Sequence, residues 1–176
     1  MTSTNPIFTF GLSMLVACAG TTRSINDDVA ILARRSEQAN DALMRGDAAR
    51  YVALVAPATD FLLMSPFGGT PSQGPLTPER TARLGRFFEG GTLRQELVAS
   101  YGSPDLIVLA VIERPANVAV GGLPKQDWAL RVTLVYRRVG TEWQLVHRHA
   151  DPLGHGITLE QAAALGRGAR ATPQGG

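Results

Sequence analysis

The residues best suited to chemistry stand in one row near the C-terminal end: His147, His149 and Asp151, each two positions from the next. On a regular strand, residues two apart project from one face, so the three side chains would stand together. Two imidazoles and a carboxylate can bind a divalent metal, or Asp151 can fix the tautomer of a histidine that moves protons. A metal set wants a further ligand. The next residue is Pro152, and the one remaining histidine, His155, returns to the row only if the turn at Gly154 folds it back. The structural alternative, which we favour, makes Trp143, Leu145, His147 and His149 the outer face of a sheet, bonded to Arg131 and Thr133 on the neighbouring strand. No metal and no cofactor are expected.

The row resembles the H-x-H-x-D-H start of metallo-β-lactamase-like hydrolases, but it departs at Pro152. The opposite face of the same strand carries Gln144, Val146 and Arg148, and a single bulge would exchange the two faces. Trp128 and Tyr101 have apolar bodies with polar tips, suited to a pocket mouth and equally to a core. Phe61, Met64, Phe87 and Phe88 read as core and pocket wall. The sequence holds no P-loop, dinucleotide fingerprint, HExxH motif or Ser-His-Asp signature.

The elements that must position these residues follow from periodicity. Ser24 and Asp27 open a helix whose apolar stripe runs Ile25, Val29, Leu32, Ser36, Ala39, Leu43. Gly46 stops it, Asp47 caps a second helix over 48–55, and Pro57 closes that one. Residues 60–64 (DFLLM) form a short strand, and 67–75 a Gly/Pro/Ser loop. Thr77-Pro78 starts a third helix, predicted to reach Glu89 with Leu84, Phe87 and Phe88 on its apolar side. Strands follow over 92–101, 106–113, 128–138 and 143–150, the second nearly continuous in apolar residues and therefore central. Thr158 and Gln161 can cap a short terminal helix. Helices before strands argue for an α+β domain with helices on one face of a sheet.

The bulk numbers fit this. The chain has 176 residues, 44% of them hydrophobic and 18% charged, which suits one globular domain. The net charge is +2 with no run of basic residues, so nucleic acid is not an expected partner. One cysteine, Cys18, excludes an internal disulfide.

Residues 7–17 (IFTFGLSMLVA) are too short to span a bilayer but match the core of a signal peptide. Leu15-Val16-Ala17-Cys18 resembles a bacterial lipobox, in which the cysteine is acylated. Against this, residues 1–17 contain no Lys or Arg. A start assigned upstream of the true protein, or a loose tail, accounts for the run as well. Two locations therefore stay open, the cell envelope through a lipid on Cys18 and the cytoplasm. On the lipoprotein alternative 1–23 is signal peptide and linker; on either, 24–166 is the domain and 167–176 a flexible tail.

Three features together resemble the nuclear transport factor 2-like superfamily, with its SnoaL-like and ketosteroid-isomerase-like members. They are the Gly46-Asp47 joint, the Arg131-x-Thr133 strand and the closing hairpin Trp143-Gln144-Leu145-Val146-His147-Arg148-His149. The hairpin is similar to the W-x-x-V-H-x-H ending of SnoaL-like proteins and of the calcium/calmodulin-dependent kinase II association domain. The resemblance spans roughly residues 25–155. It implies a cone-shaped, curved antiparallel sheet with helices packed on its concave face, enclosing a pocket, and a homodimer through the outer face. It also implies that Arg148 faces the pocket and meets an anionic or carbonyl ligand; the alternative, equally open from the residues, is a surface arginine. The superfamily hosts isomerases, cyclases, dehydratases and pure assembly modules, so it does not fix a reaction.

The expectation is a domain that binds a small hydrophobic molecule, with or without cofactor-free isomerase, cyclase or dehydratase chemistry. Its ligand candidates are Asp60, Tyr101, Trp128 and Arg148. Its interface or polar-network candidates are Arg131, Thr133, Trp143, His147, His149 and Asp151. The alternative is a non-catalytic dimerisation module, anchored in the envelope if Cys18 carries lipid, with no other membrane attachment.

Overall fold

A computed structural model describes residues 24–167. The signal-like run 7–17, the lipidation candidate Cys18 and the tail beyond Arg167 lie outside the described residues.

Helix α1 (Ile25–Met44) begins where the Ser24 hydroxyl accepts from the Asp27 amide at 3.2 Å. Its stripe buries Leu32, Ser36, Ala39 and Leu43, and draws Asn40 into the same face. Gly46, at φ 87°, turns the chain so that Asp47 accepts from the Arg50 amide and caps α2 (Ala48–Val55). Ala56, also left-handed, redirects the chain into β1 (Pro57–Met64), which starts earlier than the apolar run alone predicts.

The chain continues through β2 (Ser72–Gln73) and α3 (Pro78–Gly85), capped by Thr77 with proline in the first turn. α3 is shorter than its periodicity suggests. Phe87 and Phe88 fall outside it, because the chain turns after Gly85 into the two-residue strand β3 (Phe88–Glu89). β4 (Thr92–Gly102), β5 (Leu106–Ala116), β6 (Ala119–Val120), β7 (Leu130–Val139) and β8 (Glu142–Pro152) follow, then α4 (Leu159–Gly166) with a Thr158–Gln161 capping box.

One sheet has the order β2-β1-β8-β7-β5-β4, and β3 pairs with β6 beside it. The expected antiparallel meander forms, with β4, β5, β7 and β8 paired antiparallel, and one pair departs from it. β1 runs parallel to β8, so the sheet is mixed. Local sequence cannot show this, because β1 finds a partner more than 80 residues later. Helices α1 and α2 pack on each other, α1 lies across β4 and β5, and α2 meets α3. The core between them takes alternate residues of each strand: Ile107, Leu109 and Val111 from β5, Val132, Leu134 and Tyr136 from β7.

β8 breaks this alternation. Tyr136 pairs with Leu145 and Val135 with His147, so Val146 is an extra residue. Before the bulge Trp143 and Leu145 are buried; after it Arg148 and Ala150 are. Trp143 and Leu145 therefore do not share the outer face with His147 and His149, as unbroken alternation predicts, but belong to the core. No helix among the described residues is long and apolar enough to cross a membrane.

Candidate functional site

The bulge sends Arg148 inward, toward the last residue of a buried row on β5. That row is Ile107, Leu109, Val111 and Glu113, and period two puts the carboxylate on the core face. Arg148 Nη1 donates to Glu113 Oε1 and Nη2 to Oε2, both at 2.7 Å, a two-pronged geometry that suits a planar guanidinium. Asn40 Nδ2 adds a third hydrogen bond to Oε1 at 3.1 Å and also donates to the Ser36 carbonyl at 2.9 Å. Glu113 is 1% exposed, Asn40 4% and Arg148 9%. A buried charge demands such saturation, since an unpaired one would cost several kcal/mol, about 3–5 in comparable cases.

Two tyrosines stand near the pair. Burial pushes the Tyr51 phenol above its ordinary pKa; the Arg148 charge pulls it back and the Glu113 charge adds to the rise. Tyr51 thus stays a neutral hydroxyl at neutral pH. Burial raises Tyr136 too, and its hydroxyl has no hydrogen-bond partner among the described residues. For Arg148 burial alone would favour deprotonation, but the charge and hydrogen bonds of Glu113 outweigh it and hold the guanidinium ionised.

Above the pair opens a cavity of about 440 Å³. Leu43, Met44, Phe61, Leu84, Val118 and Leu130 supply apolar wall; Asn40, Tyr51, Glu113 and Arg148 form its buried inner end. The outer end is aromatic. Phe67, half-exposed on the loop after β1, meets Phe87 edge-on at 5.6 Å and Trp128 at 6.1 Å between centroids. Arg80 on α3 fastens the neighbouring loop, donating to the Pro75 carbonyl at 2.8 Å and to the Ser72 hydroxyl.

Of the ligand candidates, Trp128 and Arg148 line this cavity, and Asp60 and Tyr101 do not. Asp60 sits on the exposed side of β1, and Arg137 grips both its oxygens at 3.0 and 2.9 Å, holding its carboxyl below the usual range. Tyr101 is 67% exposed on the edge strand β4. Both placements correct the sequence expectation: strand parity puts an acid or a phenol on a face, but not on the face that has a cavity. Phe61, Phe87 and Phe88 line the wall, whereas Met64 is exposed.

His147, His149 and Asp151 do share the outer face. His149 Nε2 lies 3.5 Å from Asp151 Oδ2, and His147 Nδ1 lies 3.1 Å from the Leu62 carbonyl. Thr133 and Arg131 are the strand neighbours of His149 and Asp151, but neither histidine hydrogen-bonds to them, because across the strands these side chains stand alongside and not tip to tip. Among the described residues no three His, Cys, Asp or Glu side chains come together as a metal-ligand set.

Sequence reasoning passed over Asn40, Tyr51 and Glu113. Each carried a signal, namely a polar side chain at a position whose periodicity is otherwise apolar. Asn40 is four residues after Ser36 on the buried side of α1. Tyr51 lies between Ala48 and Val55 on α2, and Glu113 ends an alternating apolar row.

The sequence matches no family model and no curated protein. Its structure is similar to several solved ones. A ketosteroid isomerase-like protein from Erwinia carotovora atroseptica is 15% identical, with a TM-score of 0.57, over 74% of this chain and 100% of that one. A candidate dehydratase of the NTF2-like family from Streptomyces avermitilis is 21% identical, with a TM-score of 0.57, over 75% and 100%. An NTF2-like protein of unknown function from Pseudomonas putida KT2440 is 22% identical, with a TM-score of 0.53, over 77% and 89%. The chain has the NTF2-like (nuclear transport factor 2-like) fold: three helices toward the N-terminal side and a six-stranded mixed sheet.

Proposed function

We propose that this NTF2-like domain binds a small, largely apolar molecule in the cavity between the helices and the sheet. The observation that carries the reading is an apolar-walled cavity of about 440 Å³ that ends on a buried charge pair joined by two hydrogen bonds. An empty hydrophobic core would not need Glu113 and Arg148 there, since well-packed apolar residues are as stable or more so. The neutral Tyr51 hydroxyl beside the pair suits a ligand carbonyl or hydroxyl at the inner end.

The same arrangement supports acid–base chemistry of the isomerase, cyclase or dehydratase type. A phenol in a desolvated site next to fixed charges stabilises negative charge as it develops on a carbonyl oxygen. Glu113 is less suited to be the base, because both its oxygens are already engaged by Arg148 and Asn40.

The test is titration with N-phenyl-1-naphthylamine, a neutral dye that fluoresces in apolar sites. Wild type should bind it saturably, and Leu76→Trp and Leu84→Trp, which fill the cavity, should lose binding while keeping the wild-type circular dichroism spectrum. Failure of wild type to bind, or undiminished binding by both filled variants, would remove the proposal.

A second proposal concerns assembly. The centre of the outer sheet face is partly apolar and only half-buried among the described residues, with Val108, Ala110 and Ile112 on β5 and Val135 on β7. We infer that two copies pair across this face, with His147 and His149 in the contact.

A further inference from the structure

The charges and donors around the cavity do not balance, and the imbalance says what kind of molecule would complete it. Four charged residues line it: Arg80, Arg83, Arg148 and Glu113. Glu113 is consumed by Arg148, which leaves the positive charges of Arg80 and Arg83, both on α3 at the outer end. Among the described residues neither has a carboxylate within ion-pair distance. Arg80 spends its donors on neutral groups of the loop, which leaves its charge uncompensated. Arg83 makes no side-chain hydrogen bond among the described residues.

The hydrogen-bonding groups lean the same way. The one strong acceptor, Glu113, already takes three donors.

We propose that the ligand is an apolar molecule that carries an anionic group, such as a carboxylate, held at the cavity mouth by Arg83 and Arg80. This rests on the cavity being a ligand site. It narrows the substrate class from any hydrophobic molecule to hydrophobic acids, either aromatic acids or chain acids such as those released from lipids. A basic residue in the last turn of α3 also complements the helix dipole, so stability alone cannot report this role.

The test uses two matched probe pairs on the full chain. 8-Anilinonaphthalene-1-sulfonate and N-phenyl-1-naphthylamine share an aromatic body and differ by the anion. Parinaric acid and its methyl ester do the same for an extended chain. Arg83→Gln should weaken the anionic member about fivefold, in keeping with one half-solvated charge contact, and leave the neutral member unchanged. Arg83→Lys should restore most of the loss, and added salt should weaken only the anionic member. The pair showing the larger effect identifies the body, aromatic or chain. Equal effects of Arg83→Gln on both members, or none on the anionic one, would overturn the anion while leaving the cavity proposal standing. If wild type binds none of the four probes, the cavity proposal itself falls and this one with it.

Discussion

Arg148 and Glu113, on strands β8 and β5 that are not neighbours in the sheet, reach across the face of β7 and join through two parallel 2.7 Å hydrogen bonds. The contact depends on three independent features: the parity of β5, the bulge at Val146 and the reach of a guanidinium. It closes the inner end of the cavity.

Breaking this pair should be much worse than replacing it. Arg148→Met leaves the Glu113 carboxylate buried with Asn40 alone and should cost about 3–5 kcal/mol in urea denaturation at pH 7. The double variant Glu113→Gln/Arg148→Met carries no buried charge and should recover most of that. An Arg148→Met protein as stable as wild type would mean that the pair is not formed.

Gly46 should not tolerate a side chain. It sits at φ 87°, and a Cβ built there would meet the Gly85 carbonyl oxygen at 3.1 Å and that of Phe88 at 3.2 Å. Both are backbone atoms, so neither can swing away. Gly46→Ala should lose about 2 kcal/mol from the left-handed backbone alone, with more from the clash. Thermal unfolding measures it, and an unchanged midpoint would show that the α1–α2 joint adopts another path.

Alkaline pH should strain the fold through its buried phenols. Burial raises the pKa of Tyr51 and Tyr136 above the unfolded value of 10.0. A raised pKa means that the native state favours the neutral form. Their contribution is therefore complete below pH 10 and declines as pH climbs above it, because only the unfolded chain ionises freely there. In a Tyr101→Phe background, absorbance at 295 nm should stay flat until tryptophan fluorescence reports unfolding. Phenolate signal from an intact fold would show that these hydroxyls reach water.

Pairing of two copies through the outer sheet face predicts a dimer in sedimentation velocity. Ala110→Arg and Ile112→Arg place a charge at the centre of that face and should each yield monomers with unchanged circular dichroism. A wild type that remains monomeric at high concentration, or variants that remain dimeric, would exclude this surface as the contact.

Much of the architecture was already determined by local sequence. Ser24, Asp47 and Thr77 each accept from a backbone amide three residues on, so helix starts are written in single residues and their short-range chemistry. The alternation in 130–136 and 107–113 fixes which side chains share a face, because a strand has period two. Tertiary structure decided the rest. Whether Arg148 or His149 looks inward turns on one unpaired residue, Val146, and a bulge is set by the register of β8 on β7, which no local pattern encodes. That β1 runs parallel to β8, that Glu113 meets Asn40 73 positions away, and that Asp60 is held by Arg137 outside the cavity are all contacts between distant segments. Periodicity reports how a residue stands relative to its own element; only the packing of elements decides what stands opposite it, and a site is made of what stands opposite.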